Sequence, residues 1–495
     1  MAIKKILVAN RGEIAIRVMR SAREMGIATV AVYSEADKLL PHASYADEAI
    51  NIGPAAASES YLVHDKIIEA CKKTEADAIH PGYGFLSENA SFAERAAKEG
   101  ITFIGPSSHA IQVMGDKLTS KQTVKEFNVP LVPGMDEPIN DVAKAKKMAN
   151  DIGYPIMIKA SAGGGGKGMR IVHDPKDFEE QMKRAISEAR NSFANDEVFV
   201  EKFISSPKHI EVQILGDQHG NVIYLFEREC SIQRRNQKVI EEAPSALLTP
   251  EVRKRIGEAA VNVARSCNYY GAGTVEFIAD ENLNFYFLEM NTRLQVEHPV
   301  TELITGVDLV KEQIKIANGE KLAIKQGDLK IHGHSLEVRV YAEDPKNNFL
   351  PDTGKLIKYV RPQGAGVRVD DGYEEGLDVS IYYDPMIAKL ITYGKDRTEA
   401  IARMKRAIHE YQIIGVETTL PFCDFVLDHP EFVDGTFTTK FVESHFTPDV
   451  LDYEIDKETA EVAALIANNL VNKKKPVKNT HTSATKSKWK ERAKN

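Results

Sequence analysis

YPIMIKASAGGGGKGMRIV, residues Tyr154 to Val172, decides how the middle of this 495-residue chain is read. Gly163, Gly164, Gly165 and Gly166 stand in a row between Ile156–Ala160 and Met169–Val172, and both flanks read as strands. The unit is therefore strand–loop–strand. A Walker phosphate loop has a helix after its glycines and Ser or Thr after its lysine, whereas here Gly168 follows Lys167. Glycines still let backbone N–H groups approach phosphate oxygens closely, and Lys159 and Lys167 bracket the run with positive charge. The pattern fits a hairpin lid over nucleotide phosphates. A merely flexible tip has no need of four glycines between two lysines.

Outward from this loop, residues 5–9 (KILVA) read as a buried strand. A helix follows with Ile14, Val18, Ala22 and Met25 on one face and Gly26 as its stop. Thr29–Tyr33 and the run before HPGYG are further strands, so residues 1–114 are expected to form a Rossmann-like parallel α/β domain. Its first turn, N-R-G-E, lacks G-x-G-x-x-G, which argues against a dinucleotide-dependent redox enzyme. Residues 115–334 are expected to form a second domain with its lid at about 131–204. Residues 335–446 read as a smaller, strand-rich third domain. Residues 447–495 read as a helix around 457–471 and a basic, disordered tail that is as well explained by solvation as by docking, with the single tryptophan, Trp489, inside it.

Composition narrows the classes. Hydrophobic content of 43% suits a globular protein of about three domains. Net charge is −8, although residues 473–495 hold nine Lys/Arg against one Glu; a basic end on an acidic body gives no general nucleic-acid footprint. Cys71, Cys230, Cys267 and Cys423 are widely spaced, without C-x-x-C, so reduced cytosolic thiols are expected rather than disulfides or zinc. No signal-peptide core or apolar run of membrane length appears, so a cytoplasmic protein is expected.

Two apolar strands each carry a carboxylate near their ends: Glu276 in GAGTVEFIAD, and Glu289 in NFYFLEMNTR with Asn291 and Arg293. Such hard oxygen donors hold Mg²⁺ beside phosphate oxygens. Alternation along FYFLEMN places Phe287, Glu289 and Asn291 on one face. LQVEHP adds Gln295, Glu297 and His298, a grouping that suits phosphoryl transfer. The strip Gln233–Lys238, with Arg234 and Arg235, reads equally as an anion site or as a solvated stretch neutralised by Glu241 and Glu242. In SLEVRVYAED, Leu336, Val338 and Val340 point one way and Glu337, Arg339 and Tyr341 the other; Arg339 is either an oxyanion ligand or a structural partner of Glu337.

These segments, in order with ILVANRGEIAIR and HPGYGFLSEN, closely resemble the biotin carboxylases of the ATP-grasp superfamily over about residues 2–446. The resemblance implies that Lys117, Lys159, His209, the glycine loop with Lys167 and Gly168, and Gln233 contact ATP, and that Glu201, Lys202 and Ile204 lie at its adenine. It implies Mg²⁺ or Mn²⁺ on Glu276 and Glu289 with Asn291 close by. Lys238, Arg293, Gln295 and the Val296 backbone would hold bicarbonate, Glu297 would be the base that deprotonates it, and Arg339 and Tyr83 would meet biotin. Position 236 is Asn where many members have His, and position 167 is Lys where some have Arg; this leaves the downstream acceptor open.

No A-M-K-M biotin-attachment motif occurs, so biotin is expected on a separate biotin carboxyl carrier protein, with a carboxyltransferase subunit as further partner; the resemblance implies a homodimer as the assembly. The implied reaction is the first half-reaction of an acetyl-CoA or propionyl-CoA carboxylase. The alternatives are the same subunit of a two-subunit pyruvate carboxylase, another ATP-grasp ligase, or a non-catalytic scaffold subunit.

Overall fold

The computed structural model describes residues 2–135, 139–160, 169–193, 197–452, 461–462 and 464–466. The glycine run with Lys167 and Gly168 lies outside them, as do Trp489 and most of the expected terminal helix; within that helix, residues 461–462 and 464–466 are helical. By contacts the chain divides into Met1–Val450 and Leu451–Asn495. Among the described residues no helix is long and apolar enough to cross a membrane.

The expected α/β start is observed. Five parallel strands stand in the order Glu48–Asn51, Ala28–Tyr33, Lys5–Val8, Ala78–His80, Thr102–Phe103. Ile6 and Val8 face one apolar cluster with the helix Gly12–Glu24, and Leu7 faces another with the helix His64–Lys73. Burial on both faces explains why the inner strands Lys5–Val8, Ala28–Tyr33 and Ala78–His80 read as apolar runs. The close packing extends to the backbone: a Cβ on Gly372 would lie 2.6 Å from Gly12 Cα, so only glycine fits there.

The strands flanking the glycine run, Ile156–Ala160 and Met169–Val172, pair antiparallel, with Val198–Lys202 on the other side. Helices Val142–Ile152 and Phe178–Phe193 cover this sheet through Ala145, Ala149, Phe178, Met182 and Ala185.

The largest sheet has eight antiparallel strands, in the order Phe285–Asn291, Gly271–Ala279, Lys208–Gly216, Val222–Arg234, Gln237–Ala243, His334–Tyr341, Met386–Gly394, Val367–Asp371. It runs without a break from the segment expected to use ATP into the C-terminal segment, because Gln237–Ala243 pairs with His334–Tyr341. One face is apolar: Ile210, Val212, Ile214, Val275 and Phe277 at one end, and Leu336, Val338 and Val340 at the other. The opposite face is polar and is where the site lies.

Two departures from simple alternation shape that face. Glu276 pairs with Glu289 but Phe277 pairs with Phe287, so Leu288 is the extra residue of a bulge. The expectation that Phe287, Glu289 and Asn291 share a face is therefore corrected: Phe287 lies in the apolar core, while Glu289 and Asn291 stand opposite Glu276 and Thr274. The second departure lies in the hairpin that ends at Arg235 and Asn236. Both have positive φ, 51° and 66°, the conformation of a two-residue turn that matches strand twist. Ile232 pairs with Ile240 but Gln233 with Lys238, so Val239 is the extra residue there and Lys238 is turned to the polar face.

Candidate active site

Period-two strands deliver the polar face. On Lys208–Gly216 the residues between the apolar ones are His209, Glu211 and Gln213; across from them stand Glu276 and Thr274 on one side and Arg228 on the other. The turn after Phe285–Asn291 adds Arg293, Gln295 and Glu297, the last two being buried.

Lys238 is the hub. Its Nζ donates to Glu276 Oε1 at 2.8 Å, Glu297 Oε1 at 2.9 Å and Gln295 Oε1 at 3.2 Å, and it also pairs with Glu211. Glu211 is pinned on its other side by Arg228, which is wholly buried and also donates to Gln213, Thr301 and Thr274. Burial disfavours the Lys238 cation, yet Glu211, Glu276 and Glu297 together hold its pKa well above the usual lysine value. The converse holds for the acids. Burial works against ionised Glu276, but Lys238 and His209 keep it well below the carboxylate range; His209 Nε2 is 3.0 Å from Glu276 Oε2. Glu297 is likewise held low by Lys238 and Arg339 against its burial. Arg339 Nη2 donates to Glu297 Oε2 at 2.9 Å.

Glu276 Oε1 also accepts from Asn291 Nδ2 at 2.9 Å and Gln295 Nε2 at 3.0 Å. Directly across the strand pair stands Glu289, whose carboxyl is pushed up by burial and then by Glu276. Two like charges opposed across strands repel one another. An oxygen-rich pair of this kind, with an amide oxygen source at Asn291, fits a hard divalent cation such as Mg²⁺.

Three family models match the chain: "Biotin carboxylase, N-terminal domain" at residues 2–111, "Carbamoyl-phosphate synthase L chain, ATP binding domain" at 116–325, and "Biotin carboxylase C-terminal domain" at 337–444. Biotin carboxylase 1 of Bacillus subtilis (strain 168) is 53% identical over 444 residues, covering 90% of this chain and 99% of its own. The chain belongs to the biotin carboxylase family. The mitochondrial propionyl-CoA carboxylase alpha chain of Homo sapiens is 53% identical over 468 residues; the match covers 94% of this chain but 64% of that longer relative. Among solved structures, the biotin carboxylase domain dimer of the Hydrogenobacter thermophilus 2-oxoglutarate carboxylase, in complex with MgADP, ADP and bicarbonate, superposes with a TM-score of 0.82. It is 49% identical and covers 92% of this chain and 100% of that one.

On this biotin carboxylase frame the expected site residues fall into groups. Lys238, Gln295, Glu297, Arg339, Glu276, His209 and Asn291 form one connected network. Arg293 joins it through Nη2, which donates to Asn291 Oδ1 at 3.0 Å, while its Nε donates to Glu88 of HPGYGFLSEN at 2.8 Å. Val296 offers its carbonyl to the buried Lys389 at 2.9 Å. Tyr83 donates to Glu13, and Glu13 lies 3.2 Å from Lys389.

Lys159 and Glu201 belong to the small three-stranded sheet instead. There Glu201 takes both Lys159 and Lys121, each at 2.5 Å. Lys202 Nζ donates to the Gly153 and Tyr154 carbonyls at 2.9 and 3.1 Å, and Ile204 follows this strand half-buried. Lys117 opens the helix Lys117–Lys125 and draws the Glu289 pKa downward. Gln233 donates to the Cys230 carbonyl at 2.8 Å.

Two pairings differ from expectation. Arg339 takes Glu241 and Glu297 rather than Glu337, whose oxygens have no hydrogen-bond partner. The basic strip is not neutralised locally as a whole: Arg234 takes Glu343, Lys238 takes the site carboxylates, and Glu242 takes Arg397 and His334. Sequence reading missed Glu211, Arg228, Glu88 and Lys389. Alternation along HIEVQ carried the signal for Glu211, two residues on from His209; Arg228 stands across from Glu211 on the next strand, and Lys389 is defined by the distant Val296 and Glu13.

Proposed function

We propose that this chain carboxylates biotin borne on a carrier, using ATP and bicarbonate through carboxyphosphate, as the first half-reaction of an acyl-CoA carboxylase. The observation that carries this reading is the chain Glu276–Lys238–Glu297–Arg339. It links the carboxylate pair suited to a metal, a cation suited to an anionic substrate, a buried ionised base, and a fixed guanidinium within hydrogen-bonding distance of one another.

Bicarbonate bound between Lys238, Arg293, Gln295 and the Val296 backbone replaces part of the charge that Lys238 now shares among carboxylates. Glu297, already ionised, takes the bicarbonate O–H proton, and the electron pair left on that oxygen attacks the γ-phosphorus of ATP, breaking its bond to the β,γ-bridging oxygen and releasing ADP. Lys117, Lys159 and His209 hold phosphate oxygens, and Glu201 and Lys202 stand at the adenine end. Glu276 and Glu289, with Asn291 beside them, would hold Mg²⁺, which when bound would neutralise charge at the transferring phosphoryl group. Carboxyphosphate then releases CO₂ and phosphate. The phosphate takes the biotin N1 proton, N1 bonds to CO₂, and Arg339 stabilises the charge that develops on the ureido oxygen, with Tyr83 near the ring.

The propionyl-CoA relative favours an acyl-CoA as the final acceptor, reached through a carboxyltransferase partner. A pyruvate carboxylase remains the second reading, since Asn236 and Lys167 suit both kinds of relative. Initial rates of ADP release test the proposal. They should require bicarbonate, rise with free biotin, and vanish when chelation removes Mg²⁺. Glu289→Gln should raise the Mg²⁺ concentration needed for half-maximal rate. ADP release indifferent to both bicarbonate and chelation would overturn the proposal.

A further inference from the structure

Arg339 is gripped from two sides. Its Nη2 donates to Glu297 Oε2 at 2.9 Å, and its Nε donates to Glu241 Oε1 at 2.6 Å. The proposed base and the proposed biotin ligand therefore share one hydrogen bond. Glu241 holds the far edge of the same guanidinium.

Glu241 is wholly buried on the strand Gln237–Ala243, directly across from Glu337, which is wholly buried too. Side-by-side buried carboxylates resist double ionisation. Burial pushes Glu337 well above the usual range, with Lys389 opposing and Glu241 reinforcing; burial raises Glu241 only to about 7 because Arg339 draws it back. Neither Glu337 oxygen has a hydrogen-bond partner. Of the two, Glu337 is the one burial drives more strongly towards the neutral form, and Glu241 is the one that holds Arg339.

We propose that Glu241 is a positioning residue for carboxyl transfer: it fixes the Nε edge of Arg339, so that the Nη2 released when Glu297 takes its proton is already aimed at the biotin ureido oxygen. The bond that breaks is the bicarbonate O–H, and the bond that forms is Glu297 O–H. A neutral carboxyl accepts less strongly than a carboxylate, so the Glu297–Arg339 bond weakens at that moment. Biotin stabilisation then follows bicarbonate deprotonation, and the fixed Nε edge spares Arg339 a search for its new partner.

This inference rests on the function proposed above. Its test compares wild type, Glu241→Gln and Glu241→Asp in two assays on the full chain: ADP release with bicarbonate alone, and the added rate with saturating free biotin. For Glu241→Gln the biotin-dependent increment should fall about 10- to 100-fold and the KM for biotin should rise, while the bicarbonate-only rate stays within about twofold. Glu241→Asp should recover part of the increment. Parallel loss of both rates, or an unchanged increment, would overturn the inference. Thermal midpoint and ATP binding report whether each variant is folded; if Glu241→Gln does not fold, the same split read on Glu241→Asp decides, with equal loss in both assays counting against the inference. A wild type without biotin stimulation would remove the proposed function and this inference with it. A stimulated wild type with no split in the variants removes the inference alone.

Discussion

Glu297→Gln is expected to lower biotin-dependent turnover about 10²- to 10⁴-fold, the usual contribution of a positioned general base. Glutamine keeps the volume but cannot take the bicarbonate proton. The surroundings should tolerate it: Lys238 retains Glu211 and Glu276, and Arg339 retains Glu241. The residues assigned to ATP binding near Glu201 lie in a different sheet, so nucleotide affinity should stay close to wild type. Steady-state ADP release and calorimetric ATP titration check both halves. Turnover at the wild-type level would remove Glu297 from the role of base.

Lys238→Met should abolish measurable turnover and destabilise the fold. Three carboxylates, Glu211, Glu276 and Glu297, would lose their shared cation. Removing one partner from a buried ion pair costs about 3–5 kcal/mol, because a charge is left without its counter-ion. Glu211 would keep Arg228 and Glu297 would keep Arg339, whereas Glu276 would keep only the amides of Asn291 and Gln295 and the His209 ring, so the deficit should be felt most at Glu276.

The pH dependence has a definite sign. Glu276 and Glu297 are held below their ordinary 4.5, so their contribution is present above that value and is lost as pH falls towards their folded-state pKa values. The gap in stability between wild type and Lys238→Met should therefore be full near neutrality and should close in acid. Urea midpoints at a series of pH values measure it; a gap constant across that series would contradict the charge account.

Much of the fold and of the site is legible in the amino-acid sequence. The parallel start is visible there because its inner strands are buried on both faces and read as apolar runs. The two strands around the glycines are visible because composition changes sharply at Ala160 and Met169. Glu276 and Glu289 are visible as carboxylates on otherwise apolar strands. The direction of individual side chains past a bulge is not. One extra residue, Leu288, reverses the relation of Phe287 to Glu289, and another, Val239, turns Lys238 to the polar face. Sequence alternation carries no mark of such an insertion.

Partner choice is equally hidden. Arg339 and Glu337 are near neighbours in sequence and on one face, yet Arg339 bonds to Glu241 and Glu297, which lie 98 and 42 residues away. Arg228 joins Glu211 on the neighbouring strand to Thr274 and Thr301, 46 and 73 residues away, and Lys389 reaches the Val296 carbonyl 93 residues away.

The most direct test of the central claim is to follow isotope-labelled bicarbonate incubated with the full chain, ATP, Mg²⁺ and free biotin, and to measure acid-labile label on biotin beside ADP. The account predicts label on biotin in step with the biotin-dependent part of ADP release, and a label rate lowered about 10²- to 10⁴-fold with Glu297→Gln. ATP cleaved in the presence of bicarbonate and biotin with no label ever reaching biotin would contradict it.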